Sequence, residues 1–256
     1  MKLEEVIKEY ASIPDISDFK NPLFIGPHPD DIEIGAGGLV SKLVRNGASV
    51  YFLICLDGAC GSDDKNTDFA HLAEIRKEEA TASSKYLGAK DIYFLNYPDG
   101  GKYEVSDLSV DIARVLIDLK PDLVVSPSPI LPTETHMDHL RCGDAARRAL
   151  LISEYPLVAK RQGIDIEKIE EFPKGINLAY YYTSKVNQVI KLKKIDLERQ
   201  LESLRMHKSQ PDSVDENVHK YIKYRAFVMG LKKCGRFGEG YYVLGPIHQH
   251  CFSENI

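Results

Sequence analysis

Residues 23–56 read LFIGPHPDDIEIGAGGLVSKLVRNGASVYFLICL, and their pattern decides the fold. Residues 23–26 form one short apolar run and residues 50–56 a second, with a candidate helix over about 37–45 between them. Uniform apolar strands such as Val50, Phe52, Leu53 and Ile54 suit burial on both faces, as in a parallel sheet. The alternation continues outward from this segment. A helix over 69–87, a strand over 92–95, a helix over 108–119, a strand over 123–126 and a helix over 139–152 follow in turn. Such regularity predicts an α/β protein with a doubly wound, mostly parallel sheet and helices on both faces. The right-handed crossover rule orders the strands 3-2-1-4, with later strands beyond.

The last third is less regular. Strands are expected over 178–182, 186–192 and 241–244, and helices over 196–207 and 216–231. No repeat, low-complexity tract or linker divides the chain. One domain over 1–256 is expected, with a core of about 20–155 and a segment of about 156–256 completing it and its pocket.

Composition excludes several classes. Apolar residues are 43% and charged residues 28% of 256, with a net charge of -5, ordinary for a soluble globular protein. No basic stripe marks a nucleic-acid surface, and the lysines around 191–194 read as a strand end or turn. Residues 1–10 have an amphipathic helix pattern without the apolar centre of a signal peptide, and no run approaches the roughly 18 apolar residues of a membrane span. The cysteines, Cys55, Cys60, Cys142, Cys234 and Cys251, show no paired spacing and suit small buried groups in a reducing compartment. The expected location is the cytoplasm, with no nucleic-acid or membrane partner.

The chemistry concentrates in two loops. Gly26-Pro27-His28-Pro29-Asp30-Asp31 follows the first strand, and three glycines at Gly35, Gly37 and Gly38 ease entry into the next helix. His136-Met137-Asp138-His139 follows the fourth strand. Strands 1 and 4 are neighbours in a 3-2-1-4 sheet, and their carboxyl ends flank the switch point where such folds bind ligands. His28, Asp31 and His139 then make a two-His, one-carboxylate zinc set with a position open for water; iron(II) would fit nearly as well. Asp30 is left over and can act as general base on metal-bound water, while a protonated His136 can steady a developing oxyanion. Singly, Asp31 or Asp138 would read as a helix cap.

HPDD over 28–31 with H-x-D-H over 136–139 resembles the PIG-L/LmbE-type N-acetylglucosaminyl deacetylases. That family includes deacetylases of bacillithiol and mycothiol synthesis and archaeal chitobiose deacetylases. The resemblance runs over most of the chain, through Arg76-Lys77-Glu78-Glu79, Tyr97-Pro98-Asp99-Gly100, His207-Lys208-Ser209-Gln210 and Gly238-Glu239-Gly240. It implies a Rossmann-like fold and a zinc-dependent hydrolase that removes the N-acyl group from an N-acetylglucosamine-like amino sugar or conjugate. It implies zinc on His28, Asp31 and His139, Asp30 as base and His136 stabilising the tetrahedral intermediate. Arg76 and Asp99 match positions that grip sugar hydroxyls, and Asp138 is placed to orient a neighbouring histidine. Met137 departs from the family's usual proline. Of the remaining histidines, His207 has the best claim to shape the pocket, while His248 and His250 alternate like a strand in a partly exposed terminal segment.

Three alternatives stay open at this point. Gly35, Gly37, Gly38 and Asp57 echo a dinucleotide site, but the third glycine of G-x-G-x-x-G is missing, and Asp30 and Asp31 would repel a pyrophosphate. A metal-dependent phosphoesterase and a non-catalytic sugar-binding protein are the others. A homo-oligomer is possible, since the Tyr180-Tyr181-Tyr182 run would serve subunit contacts as readily as core.

Overall fold

The structure, a computed structural model, describes residues 12–210 and 212–250, with side chains of 212–215 left aside. The helix expected over 1–10 and Cys251 lie outside the described residues. The strands are β1 (Pro22–Gly26), β2 (Tyr51–Leu56), β3 (Asp91–Tyr97), β4 (Leu123–Pro127), β5 (Asn177–Tyr181), β6 (Gln188–Leu192) and β7 (Phe237–Leu244). The helices are α1 (Asp31–Arg45), α2 (Phe69–Leu87), α3 (Val105–Leu119), α4 (Met137–Glu154), α5 (Pro156–Arg161), α6 (Lys194–Leu204) and α7 (Asp212–Lys232).

The strands form one sheet in the order β3-β2-β1-β4-β5-β7-β6. The first five pair in parallel, and β7 runs antiparallel to β5 and β6. The 3-2-1-4 order read from the sequence is therefore present. Alternation along β1 splits its side chains: Leu23 and Ile25 join a core with α3 and α4, while Phe24 faces a second core with α1. Helices cover both faces, as a buried parallel sheet requires.

The largest difference from the sequence reading lies in α1, which begins at Asp31, six residues before its expected start, so the glycines sit inside it. Glycine inside a helix costs about 1 kcal/mol relative to alanine, which hid the first turns. The compensation is close approach. A Cβ on Gly35 would lie 2.2 Å from Cδ2 of Tyr181, and one on Gly38 would lie 2.7 Å from Oε1 of Glu239. The buried Glu239 accepts hydrogen bonds from the N–H groups of Gly38 (3.2 Å) and Leu39 (2.8 Å). On the same helix, Arg225 Nη2 donates to the carbonyls of Ile34 (3.1 Å) and Gly35 (2.9 Å).

Smaller differences have local causes. Gly238 and Gly240 obscured the first half of β7, since glycine breaks the strand pattern. Tyr180 and Tyr181 are buried, so these two tyrosines serve core and not a subunit surface. His248 is buried in a short 3₁₀ turn (Pro246–Gln249), which replaces the alternating segment expected there. Cys55 and Cys142 are buried as expected, whereas Cys60 and Cys234 are exposed. No helix among the described residues is long and apolar enough to cross a membrane.

Candidate metal centre and active site

The loop after β1 and the loop before α4 meet because β1 and β4 are adjacent. His28 comes from the first loop and Asp31 opens α1, while His136 precedes α4 and Asp138 and His139 lie in its first turn. The ring nitrogens of His28, His136 and His139 come within 4.8 Å of one another, and a second group joins His28 and His136 to Asp99 and Asp138. His136 stacks on His139 with ring centroids 4.6 Å apart and planes 6° apart, and its centroid lies 4.7 Å from that of His28.

Asp31 bridges the two expected histidine ligands. Its Oδ2 lies 3.1 Å from Nδ1 of His28, and its Oδ1 lies 3.4 Å from Nε2 of His139. Each imidazole meets a further carboxylate at its other nitrogen. His28 Nε2 lies 3.1 Å from Asp99 Oδ1, and His139 Nδ1 lies 2.9 Å from Glu134 Oε2. The result is an unbroken chain, Asp99···His28···Asp31···His139···Glu134.

This arrangement fits a bound cation. A neutral imidazole has one N–H and one lone pair, yet both nitrogens of both rings face carboxylate oxygens. Outer carboxylates on the second nitrogen of a metal-ligating histidine are the usual means of fixing its tautomer and orientation. Asp138 Oδ2 accepts from the Gly100 N–H at 3.0 Å and lies 3.7 Å from His28 Nε2, while its buried Oδ1 has no hydrogen-bond partner among the described residues. So much buried negative charge calls for positive charge in return.

Electrostatics follow from the same crowding. Burial alone would lower the His28 pKa, but Asp138, Asp31 and Asp99 more than offset it and hold it well above its ordinary value. Burial would raise Asp31, yet His139 and His28 keep its carboxyl well below the usual range. Burial pushes Asp30 up to about 6, against the opposing pull of the Arg76 guanidinium. Burial lowers His136, and so do neighbouring His28 and His139, which favours its neutral form over the imidazolium expected from the sequence.

Asp30 stands beside the cluster and shares no ion pair with its histidines among the described residues. Its φ is 115°, in the region that L side chains rarely adopt, and such strain collects at functional sites. Arg76 and Asp99, the two residues matched to sugar-gripping positions, are both occupied by protein groups. Arg76 is buried against Gly58, Pro29 and Asp30. Asp99 accepts from Cys60 N–H (3.1 Å) and holds His28. Asp57, the acid of the dinucleotide reading, accepts from the N–H groups of Ala59 (3.0 Å) and Asp99 (3.1 Å). Tyr181 and Glu239 fill the space beside Gly35 and Gly38, so these glycines serve close packing of α1.

The sequence reading missed Glu134 and Tyr182. Tyr182 OH lies 3.3 Å from Asp31 Oδ1, and its ring stacks on His139 at 5.7 Å. Neither belongs to a spacing motif that would have revealed it. His207 does reach the site's foundations: its Nε2 lies 3.2 Å from Oε1 of the buried Glu33, two residues beyond Asp31. The neighbouring Ser209 donates to Glu79 of α2 through N–H (2.8 Å) and Oγ (2.6 Å).

Fold and site together define a doubly wound α/β protein with a histidine–carboxylate centre at its topological switch point. The GlcNAc-PI de-N-acetylase (PIG-L) family profile matches residues 23–150, and the chain belongs to that family. It is 31% identical over 238 residues to the diacetylchitobiose deacetylase of Thermococcus kodakarensis, covering 91% of this chain and 86% of that protein. It is 26% identical to a probable N-acetyl-α-D-glucosaminyl L-malate deacetylase 2 of Bacillus subtilis, over 81% of this chain and 90% of that one. Among solved structures, the N,N'-diacetylchitobiose deacetylase of Pyrococcus horikoshii in complex with an inhibitor superposes with a TM-score of 0.86. Its identity is 31%, with 98% of this chain and 96% of that chain covered.

Proposed function

We propose that this protein hydrolyses the N-acetyl group of an N-acetylglucosamine-type amino sugar, using a divalent cation held by His28, Asp31 and His139. The observation that carries the reading is the carboxylate–imidazole chain centred on Asp31, with Asp30 alongside it and outside it. The relatives named above are a deacetylase of diacetylchitobiose and a probable deacetylase of an N-acetylglucosaminyl malate, and the shared unit is a 2-acetamido sugar. Zinc is the expected cation from the donor types, with iron(II) the nearest substitute.

When bound, such a cation lowers the pKa of water and polarises an amide carbonyl. The chain's own residues supply the rest. Asp30 takes a proton from the attacking water and returns it to the leaving amine, so that acetate and a free amino sugar result. His136, beside His28 at the open side of the cluster, donates to the carbonyl oxygen as it gains negative charge. Asp99 and Glu134 hold the rings of His28 and His139 in place.

The deciding experiment is Asp30→Asn assayed for acetate release from N,N'-diacetylchitobiose, with metal content measured in parallel. Loss of about 10²- to 10⁴-fold in kcat with metal retained is expected of a lost general base. Unchanged turnover would overturn the mechanism.

A further inference from the structure

We infer that Tyr182 is a positioning residue for two of the three cation-binding side chains, Asp31 and His139; the inference rests on the metal-centre reading. Tyr182 is the first residue past β5, whose carboxyl end lies beside that of β4 through the pairing of Pro127 with Tyr181. The Ser128 N–H donates to the Tyr181 carbonyl at 3.0 Å and pins that end. Side chains alternate along a strand, so an extended residue 182 would point with Tyr180 into the core shared with α3 and α4. Instead its φ is 48°, and the ring turns to the α1 side, edge-on to Tyr181 with centroids 4.7 Å apart. A tyrosine in the left-handed region is uncommon and persists only where its surroundings over-determine it.

Two contacts on the centre result. The hydroxyl donates to Asp31, shared between Oδ1 (3.3 Å) and the main-chain carbonyl (3.4 Å). The ring stacks on His139 with planes 27° apart, and His139 is stacked in turn with His136. Oδ1 of Asp31 is also the oxygen that faces His139 Nε2 at 3.4 Å, so the phenol meets carboxylate and imidazole where they face each other. The other oxygen, Oδ2, accepts from the His28 N–H at 3.1 Å. Asp31 is thereby held at both oxygens, and His139 both at Nδ1 by Glu134 and over its ring by Tyr182. Partners of this kind orient ligating groups before a cation arrives.

Zinc affinity, measured by competition with a chelating dye, tests the inference in the parent, Tyr182→Phe and Tyr182→Leu, with the melting temperature of each metal-free protein taken alongside. Tyr182→Phe keeps the ring and loses only the hydroxyl. It is expected to bind zinc about 10- to 100-fold more weakly than the parent, with its metal-free melting temperature within a few degrees. Tyr182→Leu, which loses ring and hydroxyl together, is expected to bind more weakly still. A Tyr182→Phe protein with the parent's zinc affinity would overturn the inference, and a lowered melting temperature beside that affinity would make Tyr182 a packing residue only. Should Tyr182→Leu fail to fold, Tyr182→Phe still decides. A parent that binds no zinc would instead remove the metal centre itself, which is a separate result.

Discussion

Glu134 shows what a single side chain adds to a site that its neighbours define. It accepts from Nδ1 of His139 at 2.9 Å and from the His136 N–H at 2.8 Å, fixing two histidines at once. Glu134→Ala is expected to weaken cation binding by about 10- to 100-fold, the usual effect of deleting a partner that orients a ligand. Competition with a chelating dye measures this, and unaltered affinity would remove Glu134 from the centre. At this scale residue type was legible where chemistry is unusual: two histidines and paired aspartates in Pro-Gly loops stand out. Direction was not legible. Arg76 and Asp99 match sugar-gripping positions in one dimension, and only the packed loops show that they also reach Asp30 and His28.

Helix α1 poses the problem at the scale of an element. Propensity placed its start near residue 37, whereas tertiary packing starts it at Asp31 and uses the glycines as flat ground for Tyr181 and Glu239. Gly35→Ala would improve helix propensity by up to about 1 kcal/mol. Against that, the new Cβ would meet a ring that is fully buried and tethered by its OH to the Ile25 carbonyl at 2.9 Å. Overpacking of this kind costs about 1–3 kcal/mol, so net destabilisation is expected in urea unfolding. A variant as stable as the parent would mean that Tyr181 yields freely. Strands and helices of the first 150 residues were readable because their apolar periods are strong. The start of β7 was not, since Gly238 lies against other backbone and Gly240 against the side chains of Val186 and Met229.

Across the whole molecule, the sheet order turns distant loops into one centre. His28 and His139 are far apart in sequence, yet their ring centroids lie 5.6 Å apart because β4 pairs with β1. A cation seated there binds the folded chain alone, so it adds stability by mass action, about 2.7 kcal/mol at a hundred times its dissociation constant. Chelation is therefore expected to lower the melting temperature, and added zinc to restore it. A melting curve indifferent to both would deny the cluster its role as a metal centre.

Residues 23–150, read alone, determined the parallel α/β core, the strand order and the meeting of HPDD with HMDH, because apolar period and crossover handedness are local rules with one global solution. Tertiary structure alone decided which nitrogen faces which carboxylate, that Glu134 and Tyr182 join the site, and that Arg76 faces inward. Those outcomes depend on loop conformation and on pairs of residues whose separation along the chain carries no periodic signal. Hydrogen bonds made at close range between distant segments are set only once the sheet has brought them together.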